Sequence, residues 1–387
     1  MTTLPWSPTQ IRRIVVKVGS RLLTGIENTP KQQRIEQLIS EIAALRNRYE
    51  IILVSSGAIA AGMQLQGLQQ RPRNVAHLQA LAAVGQGRLM SLYESAAQKH
   101  NFHAAQLLLS LDDVRDRRRH LNVRNCIEYI LSNNALPIIN ENDTVSIEEI
   151  CFGDNDRLAA MVSLLSHADL LILLTGVDGL HEKDASGELG PRISRVQAIT
   201  PQIEAFAGAS DNPDQSVGGM RTKVQAAAMA TDAGIPTIIA SGYDFSCLPR
   251  LIAGEDLGTI FFPKQKSLPA YKRFLSFFAD PEGALMVDAG AVTALTRRGK
   301  SLLPVGIKRV YGEFDKGAPV EIVDENGNII AIGYVNYPAA QLRELMGLNS
   351  EQMTRLQENV PSYQEAVHRN NMVILSQPRT SRILSSA

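Results

Sequence analysis

The sequence predicts an α/β protein, a mainly parallel open sheet flanked by helices, followed by a small β-rich domain. Two observations carry this. Up to about residue 263, short apolar β-branched runs alternate with longer stretches whose apolar residues recur every three or four positions, the signatures of strand and amphipathic helix in turn. From about Tyr271 the texture changes to many short apolar segments at close spacing, punctuated by glycine and by the hairpin signal "DENGN".

The first expected strand is "IVVKV", beginning at Ile14. A helix follows, because Ile35, Leu38, Ile39, Ile42 and Leu45 fall on one face. "IILVS" from Ile51, "AQLLL" from Ala105, "LPIIN" from Leu136, "LLILLT" from Leu170 and "PTIIAS" from Pro236 are the remaining strands. Runs this apolar suit strands covered on both faces, which is how parallel sheets are built. "SVGGMRTKVQAA", Ser216 to Ala227, opens a helix with Val224, Ala227, Ala228 and Thr231 along one side. "PKQKSLPAYK" reads as a linker, so the expected organisation is a first domain over 1–265, a second over 271–350 and a partly loose polar tail over 351–387. There is no internal repeat.

Composition narrows the class. The chain has 387 residues, long enough for two domains with at least one large core. Its 39 basic residues balance 39 acidic ones and its hydrophobic content is 44%, which excludes a disordered chain and a strongly basic nucleic-acid binder. Cys126, Cys151 and Cys247 are odd in number and widely spaced, which argues against a disulfide framework or a structural zinc site and for reduced thiols in a cytoplasmic protein. No stretch resembles a signal peptide or the ~20 apolar residues of a membrane span, so a soluble protein with no membrane partner is expected.

In open sheets of this kind ligands bind beyond the carboxyl ends of the strands. The residues found there are "KVGS", "SSGAIAAG", "NENDTVS", "TGVDGL" and "SGYD", a set rich in Gly, Lys, Asp and Asn that predicts a polar, glycine-lined cleft. The P-loop signature is absent, and "VGQG" at Val84 is too short and badly placed for a dinucleotide fingerprint. Lys17 stands directly before Gly19 and Ser20, where glycine permits close backbone approach and the amides can form an anion-binding concavity. Lys223 sits in the first turn of a helix, where the macrodipole disfavours a cation. Either it reaches into solvent, or a bound phosphate sits between it and the helix end. Asp154, Asn155 and Asp156 precede another helix; capping explains one acid but leaves the others over. Glu141 and Asp143 add carboxylates at a further strand end. Carboxylates opposite lysines could hold Mg²⁺ with phosphate oxygens or orient ammonium groups, and together these groups suggest phosphoryl transfer by positioning and charge neutralisation.

The strings "KVGS", "VSSGAIAAG", "PIINENDTVS", "FGDNDRLAA", "LLTGVDGL" and "GGMRTK", in that order from about Arg13 to Pro263, resemble the amino acid kinase family, and within it the members that act on glutamate. "VDAGAVTAL", "GKSLLPVGI" and "GYVNY" resemble a PUA domain. The resemblance implies an amino-acid-kinase-like sandwich that uses ATP and Mg²⁺ to phosphorylate the γ-carboxylate of L-glutamate. The product would be glutamyl 5-phosphate, the first intermediate of proline biosynthesis, with proline as inhibitor and a dimer or tetramer built through the kinase domain. It implies that Lys17 and Lys223 stabilise the transferring phosphoryl group while Asp156 holds both ammonium groups. Ser56, Asp143 and Asn155 would bind glutamate, with Asp154 lining the same pocket. ATP would lie against Lys17, Thr175, Gly176 and the run Val217, Gly218, Gly219, Met220, Arg221, Thr222 and Lys223. Many family members carry an aspartate after that threonine; Gly176 leaves only a backbone contact. No residue is assigned as a metal ligand.

PUA domains elsewhere bind structured RNA. Beyond residue 263 there are 15 basic residues against 12 acidic ones, a weak footprint for a phosphate backbone. "RRGK" at Arg297 and "IKRV" at Ile307 make at most a small patch, and a modulatory role in the kinase is the preferred expectation. "RDRRRH" from Arg115 reads as a solvated face or a subunit contact.

Overall fold

The structure is a computed structural model that describes residues 4–23, 31–115, 117–145, 155–183, 188–208, 219–264, 280–349, 352, 365–381 and 383. It divides into two units, Met1–Ser267 and Leu268–Ala387.

The first unit runs β1 (Arg13–Val18), α1 (Ser20–Leu23), α2 (Lys31–Arg46), β2 (Glu50–Val54), α3 (Ala58–Leu65), α4 (Val75–Gln98), β3 (His103–Leu109), α5 (Leu111–Arg115), α6 (Arg117–Ser132) and β4 (Ala135–Glu141). It continues with α7 (Asn155–Leu165), β5 (Leu170–Thr175), β6 (His181–Lys183), β7 (Leu189–Arg192), β8 (Arg195–Val196), α8 (Pro201–Gly208), α9 (Met220–Asp232), β9 (Thr237–Ser241), α10 (Cys247–Ala253) and β10 (Gly258–Phe261). Eight of these strands form one sheet in the order β3-β4-β2-β1-β5-β9-β10-β8. Every pairing in it is parallel except β9 with β10. All six strands expected from the sequence are present; the short β6, β7, β8 and β10 were not anticipated.

The sheet is apolar on both faces because both are covered. Every residue of β1 is buried, and on α2 Ile35, Leu38, Ile39 and Ile42 are 0% exposed, each burial contributing about 2 kcal/mol. At the amino-terminal edge, Arg13 is clamped by Glu50 at 2.7 Å and Glu128 at 2.6 Å. Asp169 accepts from the backbone N–H groups of Arg12 and Arg13 at 2.8 and 2.9 Å, tying the entry of β5 to that of β1.

"VGQG" has a packing explanation. A Cβ on Gly62 of α3 would fall 2.0 Å from the Leu81 carbonyl oxygen, and one on Gly85 of α4 would fall 1.9 Å from that of Ala58. The two helices touch backbone to backbone, which only glycine allows. Because α3 starts directly after Ser56 and Gly57, this contact fixes where the loop leaving β2 can lie.

The chain builds β2, β3 and β4 on one side of β1, then crosses to β5 on the other. This reversal makes the carboxyl end of β1 the topological switch point, where open α/β sheets place their ligands.

The second unit contains β11 (Gly283–Val287), α11 (Ala289–Thr296), β12 (Ile307–Tyr311), β13 (Pro319–Val323), β14 (Asn328–Tyr334), α12 (Ala339–Leu345) and β15 (Met372–Thr380). Its sheet has the order β12-β11-β13-β14-β15, with β11 and β13 parallel and the other pairs antiparallel. In "DENGN", Asp324 accepts from the N–H groups of Asn326 and Asn328 at 2.9 and 2.8 Å, and Gly327 takes φ 81°, closing the β13–β14 hairpin as the residue types predict.

The expected tail over 351–387 needs correction. β15 lies within it and completes this sheet against β14, with Met372 and Val373 buried. The short apolar run "MVIL" was masked by the polar, serine-rich residues that follow it. Cys126 and Cys247 are free thiols; Cys151 lies outside the described residues. No described helix is long and apolar enough to cross a membrane.

Candidate active site

Three elements converge beyond the carboxyl end of β1. β1 delivers Lys17, α7 delivers Asp156 in its first turn, and α9 delivers Lys223 one turn from its Gly219 cap. The Lys17 ammonium lies 2.5 Å from Asp156 Oδ1 and the Lys223 ammonium 3.0 Å from Asp156 Oδ2. Lys17, Asp156 and Lys223 are 4%, 0% and 5% exposed, so Lys223 does not reach into solvent. The Thr222 hydroxyl reaches Asp156 Oδ2 at 3.4 Å and the Gly219 carbonyl at 2.8 Å.

This trio has a net charge of one positive unit in a place nearly sealed from water. Burying ions costs several kcal/mol each unless partners compensate, and Asp156 is such a partner to both ammonium groups. The amino end of α9 adds positive dipole.

On the other side of β1, the Asn155 amide donates to the Ser56 hydroxyl at 2.6 Å, the Ser55 carbonyl at 3.0 Å and Asn140 Oδ1 at 3.1 Å. Asn140 in turn donates to Gln86 at 2.9 Å, and the Ser55 hydroxyl bonds the Tyr93 hydroxyl at 2.8 Å. Ser55 and Asn140 open the strand-end strings "SSGAIAAG" and "NENDTVS", though neither was assigned a role; Gln86 and Tyr93 were not singled out, because a polar residue in a helix carries no mark of burial. Asn155 Oδ1 is buried without a hydrogen-bond partner among the described residues, an acceptor left open to a ligand N–H. Gly57 takes φ 105° and caps α3, a backbone state that favours glycine.

Asp143 follows β4. Burial, the nearby Glu141 charge and the weaker opposing pull of Arg71 set its carboxyl at about 6. No hydrogen bond among the described residues links it to Ser56 or Asn155. Asp154, Val217 and Gly218 lie outside the described residues.

Thr175 ends β5 and its carbonyl accepts from the Gly242 N–H at 2.9 Å. A Cβ on Gly176 would sit 3.1 Å from the Tyr243 hydroxyl, so Tyr243 occupies the space a side chain there would need. Gly219, Met220, Arg221 and Thr222 form the open end of α9, with Arg221 exposed.

Residues 12–241 match the amino acid kinase family, and residues 283–356 match the PUA domain. The glutamate 5-kinase of Syntrophus aciditrophicus is 41% identical over 374 residues, 96% of each chain. That of Moorella thermoacetica is 42% identical over 368 residues, 95% of this chain and 97% of that one. That of Hydrogenovibrio crunogenus is 44% identical over 347 residues, 89% and 92%. A solved structure, carbamate kinase from Giardia lamblia bound to AMP-PNP, aligns with 66% of this chain and 100% of its own at 18% identity, with a TM-score of 0.49. With a sheet that reverses at β1, a buried cationic trio at the switch point and relatives matched along nearly its whole length, the chain belongs to the amino acid kinase family, among the glutamate 5-kinases, and carries a PUA domain.

Proposed function

We propose that the chain transfers the γ-phosphoryl group of ATP to the γ-carboxylate of L-glutamate, giving ADP and glutamyl 5-phosphate, the first step of proline biosynthesis. The observation that carries this reading is the buried Lys17–Asp156–Lys223 trio, two ammonium groups held against one carboxylate at the switch point of the sheet.

A carboxylate is already ionised at neutral pH, so no general base is required. One carboxylate oxygen forms a bond to the γ-phosphorus, the bond from that phosphorus to the β–γ bridging oxygen breaks, and ADP leaves with the electron pair. The obstacle is repulsion between two anions. Lys17 and Lys223 offset it from opposite sides of Asp156, which acts by holding both ammonium groups rather than by touching phosphate.

The acceptor lies against Ser56 and Asn155, with Asn155 Oδ1 and Asp143 available to its α-ammonium group. The nucleotide lies against Thr175, Gly176 and the amino end of α9. Mg²⁺ enters with ATP as part of the substrate. No residue is assigned to hold it; the phosphate oxygens themselves would carry the ion into the site.

The same reading includes inhibition by proline, assembly as a dimer or tetramer, a cytoplasmic location and a modulatory PUA domain. Lys308, in the basic string "IKRV", is paired with Glu325, which weakens any RNA-binding patch there.

The test is ATP turnover with Mg²⁺ and L-glutamate, aspartate, acetylglutamate or no acceptor in parallel, trapping acyl phosphate with hydroxylamine. Hydroxamate formed with glutamate alone is expected. Hydroxamate from another acceptor and none from glutamate would overturn the substrate assignment.

A further inference from the structure

A second charged cavity lies beside the Ser56 loop, between the start of α2, α3 and α4. It has a volume of about 270 Å³, and Lys31, Gln32, Gln64, Arg88, Leu65 and Leu92 line it. The Lys31 ammonium is 3.5 Å from the Gly57 carbonyl, its one hydrogen bond among the described residues. Among the described residues Arg88 makes no hydrogen bond, and neither cation has an ion pair with a carboxylate. Burial first, and the Arg88 charge second, push the Lys31 ammonium down to about 8. Arg88 is exposed at the mouth of the cavity and Lys31 is half-buried; two like charges this near are stabilised by an anion placed between them.

We propose that this cavity binds a short aliphatic carboxylate, with its charged end between Lys31 and Arg88 and its carbon chain against Leu65 and Leu92. The guanidinium fork takes both carboxylate oxygens, the Gln32 and Gln64 amides take remaining polar atoms, and the leucines favour an organic acid over inorganic phosphate. Binding draws the Lys31 ammonium from the Gly57 carbonyl, next to Ser56, so occupancy changes affinity for the acceptor, and the acceptor changes occupancy by the same factor. The coupling rests on Ser56 being an acceptor contact; the binding does not.

The test is calorimetric titration of the full chain with succinate at fixed ionic strength, for the parent, Arg88→Gln, Lys31→Gln and Ser56→Ala, each checked for an unchanged melting temperature. The expected result is equal binding by the parent and Ser56→Ala, and roughly tenfold or weaker binding by Arg88→Gln and Lys31→Gln, the scale of one lost charge-assisted hydrogen bond. Undiminished binding by both folded cavity variants overturns the site. Loss in Ser56→Ala alone means that succinate occupies the acceptor pocket and overturns it too. Phosphate binding more tightly than succinate overturns the carboxylate assignment. None of these readouts needs turnover, so they stand apart from the kinase assay. A succinate-dependent shift in KM for glutamate in the parent, absent in Arg88→Gln, is expected from the coupling; an unchanged KM overturns it.

Discussion

The Asn155 side-chain amide donates to the Ser56 hydroxyl at 2.6 Å, fastening the first residue of α7 to the loop that leaves β2. Asn155→Ala releases that loop and removes the open Oδ1 acceptor. KM for glutamate should rise roughly 10- to 100-fold, the scale of one or two buried hydrogen bonds, with KM for ATP little changed. Steady-state kinetics with each substrate varied in turn measures the contrast, and equal rises in both would contradict it.

Asp156 lies between Lys17 and Lys223, 2.5 and 3.0 Å from their ammonium groups. Asp156→Asn leaves two buried ammonium groups facing each other and should cost about 3–5 kcal/mol of stability, read from the urea midpoint. Lys223→Met removes one of the two ammonium groups instead and leaves Asp156 paired with Lys17. It should leave the midpoint nearer that of the parent while lowering kcat roughly 10²- to 10³-fold.

Asp143 gives the pH dependence a direction. Its carboxyl stands at about 6, above the usual carboxylate range, because of burial and then Glu141. As pH falls through about 6 the folded chain takes up this proton and the acceptor's ammonium loses its counter-charge, so kcat/KM for glutamate should fall. Asp143→Asn should remove that limb of the profile. A raised acid pKa also means that ionised Asp143 costs the folded state above that pH, a penalty relieved on acidification. Asp143→Asn should therefore melt higher than the parent at pH 8 while binding glutamate less well; a lower melting point would refute the sign.

Gly85→Ala forces a methyl group into the Ala58 carbonyl. The helices must part, at about 1–3 kcal/mol or somewhat more. Since Ala58 begins α3, KM for glutamate should rise with the loss of thermal stability. A surface glycine such as Gly87, which meets nothing within 4 Å, is the control.

Much of the first unit was legible because a strand covered on both faces must be apolar: β1 and β5 could hardly be read otherwise. β8 and β10 were not, since two to four residues carry no period and their pairing is decided by neighbours distant in sequence. Lys17, Asp156 and Lys223 each stood out by residue type beside a strand or helix end. Their meeting depends on which strands lie side by side, which spacing along the chain does not encode. Gln86 and Tyr93 gave no signal, because a buried hydrogen-bonded side chain and a solvated one look alike in sequence. β15 was hidden by its neighbours' composition rather than its own.

The reversal of strand order at β1 divides the proposed site by sequence as well as by space. Ser56 and Asp143 come from the block that builds β2 to β4, whereas Thr175, Gly176 and the start of α9 come from the block that begins at β5, with α7 as the hinge of the arrangement. On the proposed assignments the acceptor contacts and all the nucleotide contacts except Lys17 fall in separate contiguous tracts, so a chimera crossed over near α7 should exchange the first and preserve most of the second. A change of acceptor can then arise by recombination at a single boundary.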